Sequence, residues 1–138
     1  MRLVNLFASL GFHKFRLTGG EPTTHPQFGE IVREFQARDV YVSVATNGVM
    51  RQAVLDELAD VPNLWVICSV DGARETHNRY RPGTFDTIMR NLRHLKSRNP
   101  GTRIRLTTVL TRENMAQMYE LGLICRSIDA ESITVIPL

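Results

Sequence analysis

Cysteine is scarce in this sequence: Cys68 and Cys125 are the two in 138 residues. They stand far apart and in no metal-ligand spacing, which excludes a metal site built from local cysteine pairs. Cys68 falls inside an apolar strand pattern and Cys125 near the end of a helical one, so both are expected as buried free thiols. The histidines His13, His25, His77 and His94 are equally dispersed, and each is expected as a satisfied core or surface residue. Long hydrophobic runs are absent, which excludes a spanning helix. The stretch Met1 to Phe7 begins like a signal peptide, but its apolar part is interrupted and no small-residue cleavage site follows, so a cytoplasmic protein is expected. Charge is not concentrated either. Seventeen Lys and Arg against fourteen Asp and Glu give +3, and the basic residues are scattered. That pattern suits a solvated surface and not a nucleic-acid footprint, which needs a stripe or patch. No low-complexity linker divides the chain, and its length suits one domain with its own core.

What is present is an alternation of helical and strand patterns. Leu3, Leu6, Phe7 and Leu10 follow helical spacing, with Gly11 as a stop. His13 to Thr18 reads as a strand. Phe28, Ile31, Val32 and Phe35 mark one face of a second helix. Val40 to Thr46 is strand-like and closes on the turn signal Asn47-Gly48. Val54, Leu55 and Leu58 give a third helix, broken by Pro62, and Leu64 to Val70 a third strand. Phe85, Ile88, Met89, Leu92 and Leu95 give the clearest helix, ended before Asn99-Pro100-Gly101. Arg103 to Leu110 is a fourth strand. Asn114 with Gln117 resembles a capping box for a helix through Met118 and Leu121. Ile133 to Ile136 is a last strand, closed by Pro137.

Strand, helix, strand at a spacing of roughly thirty residues predicts parallel βαβ units with right-handed crossovers. An open doubly wound sheet and part of a (β/α) barrel both fit. In either, ligands sit at the carboxyl ends of the strands. The polar groups at those ends are Thr18-Gly19-Gly20-Glu21, Thr46-Asn47-Gly48, and Ser69 with Asp71-Gly72. Paired glycines let a backbone approach a ligand closely, Pro22 fixes the exit direction, and Glu21 presents a carboxylate suited to a cationic ligand group. If the strands are parallel, these groups share one rim and one small-molecule site. Arg74, Arg79 and Arg81 form a basic loop, expected to be solvated or paired with neighbours such as Glu75 and Asp86. Trp65 and Tyr41 fall in strands, where core packing is expected.

This ordered set resembles the core of the radical S-adenosylmethionine enzymes. Leu17 to Pro22 resembles that superfamily's GGE motif, and Ala45-Thr46-Asn47-Gly48 its TNG sequence. Ser69-Val70-Asp71-Gly72, with the stretch Glu75 to Asp86, is similar to the molybdenum-cofactor (MoaA) and peptide-modifying (SPASM) branches. Thr134 to Pro137 is compatible with the sixth strand of the family barrel. The resemblance implies an α/β fold, a partial TIM-type barrel of βα units with parallel strands. Residues 1–138 would form one truncated core domain, running from helix 1 through strand 6 and missing the first strand. It implies S-adenosylmethionine as cofactor, with the backbone of Gly19 and Gly20 near its methionyl end and Glu21 taking the ammonium group beside Pro22. Ser69 and Asp71 would serve the ribose hydroxyls, with Asn47 near the same rim, and Ile136 and Pro137 would flank the adenine. An electron from a [4Fe–4S] cluster would then release a 5′-deoxyadenosyl radical that abstracts hydrogen from an unknown substrate.

The family holds that cluster with three cysteines in a C-x3-C-x2-C loop, which this sequence lacks. A fragment of a radical enzyme, inactive by itself, is one expectation. A cluster-free α/β binding or regulatory domain is the alternative. A barrel arc also leaves open sheet edges, so self-association through an edge, or a flattened open sheet, is expected.

Overall fold

The computed structural model describes residues 2–38 and 40–138. Met1, which opens the stretch weighed as a leader, lies outside the described residues. In chain order the elements are α1 (Arg2–Ser9), β1 (Lys14–Leu17), a 3-10 turn (Pro22–Thr24), α2 (Phe28–Gln36), β2 (Tyr41–Thr46), α3 (Gln52–Ala59), β3 (Leu64–Ser69), α4 (Arg74–Tyr80), α5 (Phe85–Arg98), β4 (Arg103–Leu110), a 3-10 turn (Met115–Gln117), α6 (Met118–Ser127) and β5 (Ser132–Pro137).

The strands form one open sheet in the order β1-β2-β3-β4-β5, every neighbouring pair parallel. A doubly wound sheet reverses its order at a switch point. Here there is no reversal, and the sheet is an arc of a (β/α) barrel. The side chains show which face the helices cover. Val42, Val44, Leu64, Val66, Cys68, Ile104 and Leu106 alternate along the central strands and are buried in one core with Val32, Leu55, Leu58, Ile88, Leu92 and Leu121 of the helices. The intervening residues Ser43, Trp65, Ile67 and Arg105 point to the concave face and are only half-buried. Period-two alternation in each strand against period-3.6 spacing in each helix produces this one-sided burial. No described helix is long and apolar enough to cross a membrane.

Several boundaries depart from the sequence pattern. The stretch expected as a basic loop is the helix α4, which buries little beyond Thr76 and His77 and so carries no apolar periodicity to announce it. Asn114 and Gln117 do not cap: neither 3-10 turn nor helix receives a side-chain cap there. Pro137 does not close the last strand but sits in it, in register with Leu110. It stands at the last position of an edge strand, the kind of strand to which proline is largely confined. Tyr41 is 46% exposed and not in the core, and Trp65 lies with the Arg103 guanidinium 3.9 Å from its ring centroid.

Gly48 is where the packing leaves least freedom. Its φ is +80°, and a Cβ there would stand 2.6 Å from Cys68 Sγ and 3.0 Å from Ile88. Its carbonyl accepts from the buried Asn91 Nδ2 at 2.9 Å. Gly48→Ala therefore combines left-handed strain with overpacking, and we expect a loss of about 1–3 kcal/mol in urea unfolding.

Candidate functional site

The carboxyl ends of β1, β2 and β3 open onto one rim, and Glu21 organises its first half. Pro22 starts the 3-10 turn and Glu21 is its N-cap, the side chain folded back on Thr23 N at 3.2 Å. The same Oε1 accepts from Thr23 Oγ1 at 2.6 Å and from Thr46 Oγ1 at 2.8 Å, while Oε2 accepts from Asn47 N at 2.6 Å. One carboxylate thus ties the loop after β1 to the end of β2. Asn47 turns its own Oδ1 onto Val49 N at 2.8 Å, holding the Asn47-Gly48 bend. Beside this knot the backbone of Gly19 and Gly20 is exposed, and beyond their immediate chain neighbours no protein atom lies within 4 Å of where a Cβ would stand on either. Gly19 has φ +117°, which holds this bare peptide in a conformation that side chains resist.

The next strand end is tied to its neighbour in the same manner, by the two residues expected to form a capping box. Asn114 is fully buried. Its Nδ2 donates to the carbonyls of Asp71 and Val109, both at 2.8 Å, and its Oδ1 accepts from Thr111 N at 2.8 Å. Gln117 accepts from Ala73 N at 2.9 Å and donates to Thr76 Oγ1 at 2.8 Å. Asp71 itself pairs with Arg81 Nε at 2.6 Å, and its N–H donates to His77 Nδ1 at 3.1 Å. These residues surround a hollow of about 420 Å³ lined by Asp71, Tyr80, Arg81, Val109, Thr111 and Asn114. Ser69 ends β3 on the concave side, half-buried, and no hydrogen bond engages its hydroxyl among the described residues.

The structure therefore brings Gly19, Gly20, Glu21, Pro22 and Asn47 into one cluster and places Ser69 and Asp71 on the adjoining strand end. Ile136 and Pro137 lie on the same rim, exposed, but at the opposite edge, four strand spacings or about 19 Å along the sheet from β1. The three arginines once read as a loop are all paired: Arg74 with Asp86, Arg79 with Glu113 at 3.5 Å, and Arg81 with Asp71. Thr46, Asn114, Gln117 and His77 were missed as organisers because a lone hydroxyl, amide or ring carries no periodicity. Thr46 ends a strand pattern, which was the available signal for it, whereas His77, Asn114 and Gln117 lie several residues beyond one.

His77 is 0% exposed and accepts at Nδ1 from a backbone N–H, so it is a neutral ring whose Nε2–H faces Thr84 Oγ1 at 3.0 Å. Burial pushes its pKa below 6.5, with Arg81 adding to the shift and Asp71 opposing it. Both folded and unfolded chains hold the ring neutral above that value. Below it the unfolded ring takes up a proton first, so stability falls as pH drops through and beneath 6.5. The urea midpoint should decrease between about pH 7.5 and about pH 5.5, and decrease less in His77→Gln.

Both thiols are buried and free. Cys68 is pushed up to about 12 by desolvation, and Cys125 is also raised by burial. Thiolate is the form that ligates metals and attacks reagents. A disulfide reagent should therefore leave both cysteines unmodified in native protein and label two per chain after unfolding. No group of three His, Cys, Asp or Glu that could hold a metal ion occurs among the described residues. The residues present do not fit an iron–sulfur cluster. They do fit a small cationic ligand bearing an amino group, with bare backbone at Gly19-Gly20 and a carboxylate next to it.

Comparison with known proteins bears on family and fold. GTP 3′,8-cyclase of Microcystis aeruginosa is 37% identical over 89 residues, 63% of this chain and 25% of that protein. Mycofactocin maturase MftC of Mycobacterium tuberculosis is 36% identical over 107 residues, 75% of this chain and 27% of MftC. The chain thus spans about a quarter of the length of these curated relatives. Among solved structures, Streptococcus suis SuiB bound to S-adenosylmethionine superposes with a TM-score of 0.82 over 99% of this chain and 32% of SuiB, at 15% identity, a likeness of fold. The family model described as the Radical SAM superfamily matches residues 1–122.

Proposed function

This chain belongs to the radical SAM superfamily, and on that premise we propose that it forms the S-adenosylmethionine-binding rim of a radical enzyme. The observation that carries the reading is the Glu21 knot: a carboxylate fixed by Thr46 and Asn47 beside a stretch of backbone that nothing covers. Gly19 and Gly20 would take the methionyl end, with Pro22 holding the loop. Glu21 would accept from the ammonium group in a charge-assisted bond. Ser69, whose hydroxyl has no partner among the described residues, and Asp71, whose second carboxylate oxygen is left by Arg81, would serve the ribose. Asn47 shapes the same rim, and Ile136 with Pro137 would border the adenine at the far edge.

When bound, S-adenosylmethionine reduced by one electron supplies methionine and a 5′-deoxyadenosyl radical, which abstracts a hydrogen atom from substrate. The chain's own residues bind, orient and shield that molecule. The [4Fe–4S] cluster that delivers the electron would need ligands from outside these 138 residues, because Cys68 and Cys125 are buried on separate elements. Without it the chain binds and does not cleave. Residues 1–138 would act as one unit, equivalent to helix 1 through strand 6 of the family barrel. Two reduced buried thiols suit the cytoplasm. The β5 edge, where Val135 and Ile136 are exposed, would permit self-association, an expectation that a clean monomer in light scattering at high concentration removes.

Calorimetry of this chain with S-adenosylhomocysteine tests the reading. Binding in the millimolar range or tighter that disappears in Glu21→Gln supports it. The absence of heat at saturating ligand sinks it.

A further inference from the structure

The four hydrogen bonds on Glu21 are unevenly shared. Oε1 receives three donors, from Thr23 N, Thr23 Oγ1 and Thr46 Oγ1, whereas Oε2 receives one, from Asn47 N. A carboxylate oxygen offers two lone pairs. Oε1 is saturated, and one acceptor site remains, on Oε2. Of the three donors on Oε1, two belong to Thr23 in the turn that Glu21 itself caps, and Thr46 supplies the one that ties this oxygen to β2. Thr46 is 5% exposed. Its single hydroxyl hydrogen goes to Glu21, because the oxygen is already accepting from Gly48 N at 3.0 Å. Gly48 is in turn held from α5, its carbonyl accepting from Asn91 Nδ2. A continuous chain of hydrogen bonds therefore runs from Asn91 through Gly48 and Thr46 to the carboxylate.

We propose that Thr46 is a positioning residue: it pins Glu21 Oε1 so that the open lone pair of Oε2 is presented as a receptor for a ligand's ammonium group. This rests on the proposed function and deepens it, because it makes the amino group, and not the nucleoside, the part of the ligand that the first half of the rim selects. A valine at 46 keeps the shape and removes the hydroxyl. The carboxylate then keeps only the Thr23 donors on Oε1 and loses its side-chain tie to β2, so Asn47 N–H faces a less firmly held acceptor. A serine keeps the hydroxyl.

Two measurements on the whole chain decide it. The first needs no ligand: amide hydrogen exchange at Asn47. Exchange about tenfold faster in Thr46→Val, restored in Thr46→Ser, is the expected result, and unchanged exchange in Thr46→Val overturns the positioning role. The second compares S-adenosylhomocysteine, which carries the ammonium, with 5′-methylthioadenosine, which does not. Thr46→Val should weaken the first by about tenfold or more and leave the second within about twofold, with Thr46→Ser close to wild type. Equal weakening of both ligands, or of neither, overturns the selectivity. A wild-type chain that binds neither ligand overturns the proposed function together with the selectivity, while the exchange measurement still decides the positioning.

Discussion

Glu21→Ala will lower the folding free energy by about 3 kcal/mol, roughly 10 °C in melting temperature, although residue 21 lies on a surface turn. An ordinary surface substitution changes stability by about half a kcal/mol. This one removes the acceptor of four donors at once, two of them on β2 and its turn. Hydrogen bonds to charged groups contribute about 1.5–3 kcal/mol each, and the half-buried position lets water replace part of the loss. Glu21→Gln discriminates further. Its amide keeps one acceptor oxygen but turns a donor toward Asn47 N–H or toward the Thr46 hydroxyl, so the penalty should stay near that of alanine. Urea unfolding of the two variants checks this. A midpoint within error of wild type in both means that the carboxylate does not join the two loops.

Asn114→Ala should cost about 3–4 kcal/mol, and more than any other single polar truncation outside the Glu21 knot. The side chain is 0% exposed, and it spans the loop after β3 and the end of β4. Alanine leaves the carbonyls of Asp71 and Val109 and the N–H of Thr111 without the buried partner that joins them. Asn114→Asp is the sharper control. It keeps volume and the acceptor for Thr111 N, but a carboxylate cannot donate to two carbonyls and adds a buried charge, so it should be at least as destabilising as alanine. The opposite order, with Asp close to wild type, contradicts the assigned donor role.

Much of this architecture was legible in the chain because burial is one-sided. Val42, Val44, Leu64, Val66, Ile104 and Leu106 write period-two patterns, and Ile88, Leu92 and Leu95 a helical one, since each must meet the same core. The rim was legible where backbone demands special residues: Gly19, Gly48 and Asp71-Gly72 mark strand ends that bend sharply. Periodicity left the choice between a doubly wound sheet and a barrel arc open, because strand order depends on which pairs meet in space and not on the pattern within any one of them. The family resemblance pointed to the barrel arc, which the strand order bears out. α4 escaped because only Thr76 and His77 face inward from it. The cross-links by Thr46, Asn114 and Gln117 escaped for a related reason. A polar side chain that satisfies buried backbone groups looks, in one dimension, like any other polar residue after a strand.

The strand order carries a consequence for how the chain acquires its shape. Each strand pairs with its neighbours in sequence, so every segment to be closed on assembly is a single crossover and none has to thread past another. Closure entropy is then added in small, similar instalments, and folding can zip outward from β3 in either direction. The same arithmetic runs backwards: β1 and β5, held from one side only, are the first to peel, while the middle of the arc outlasts both.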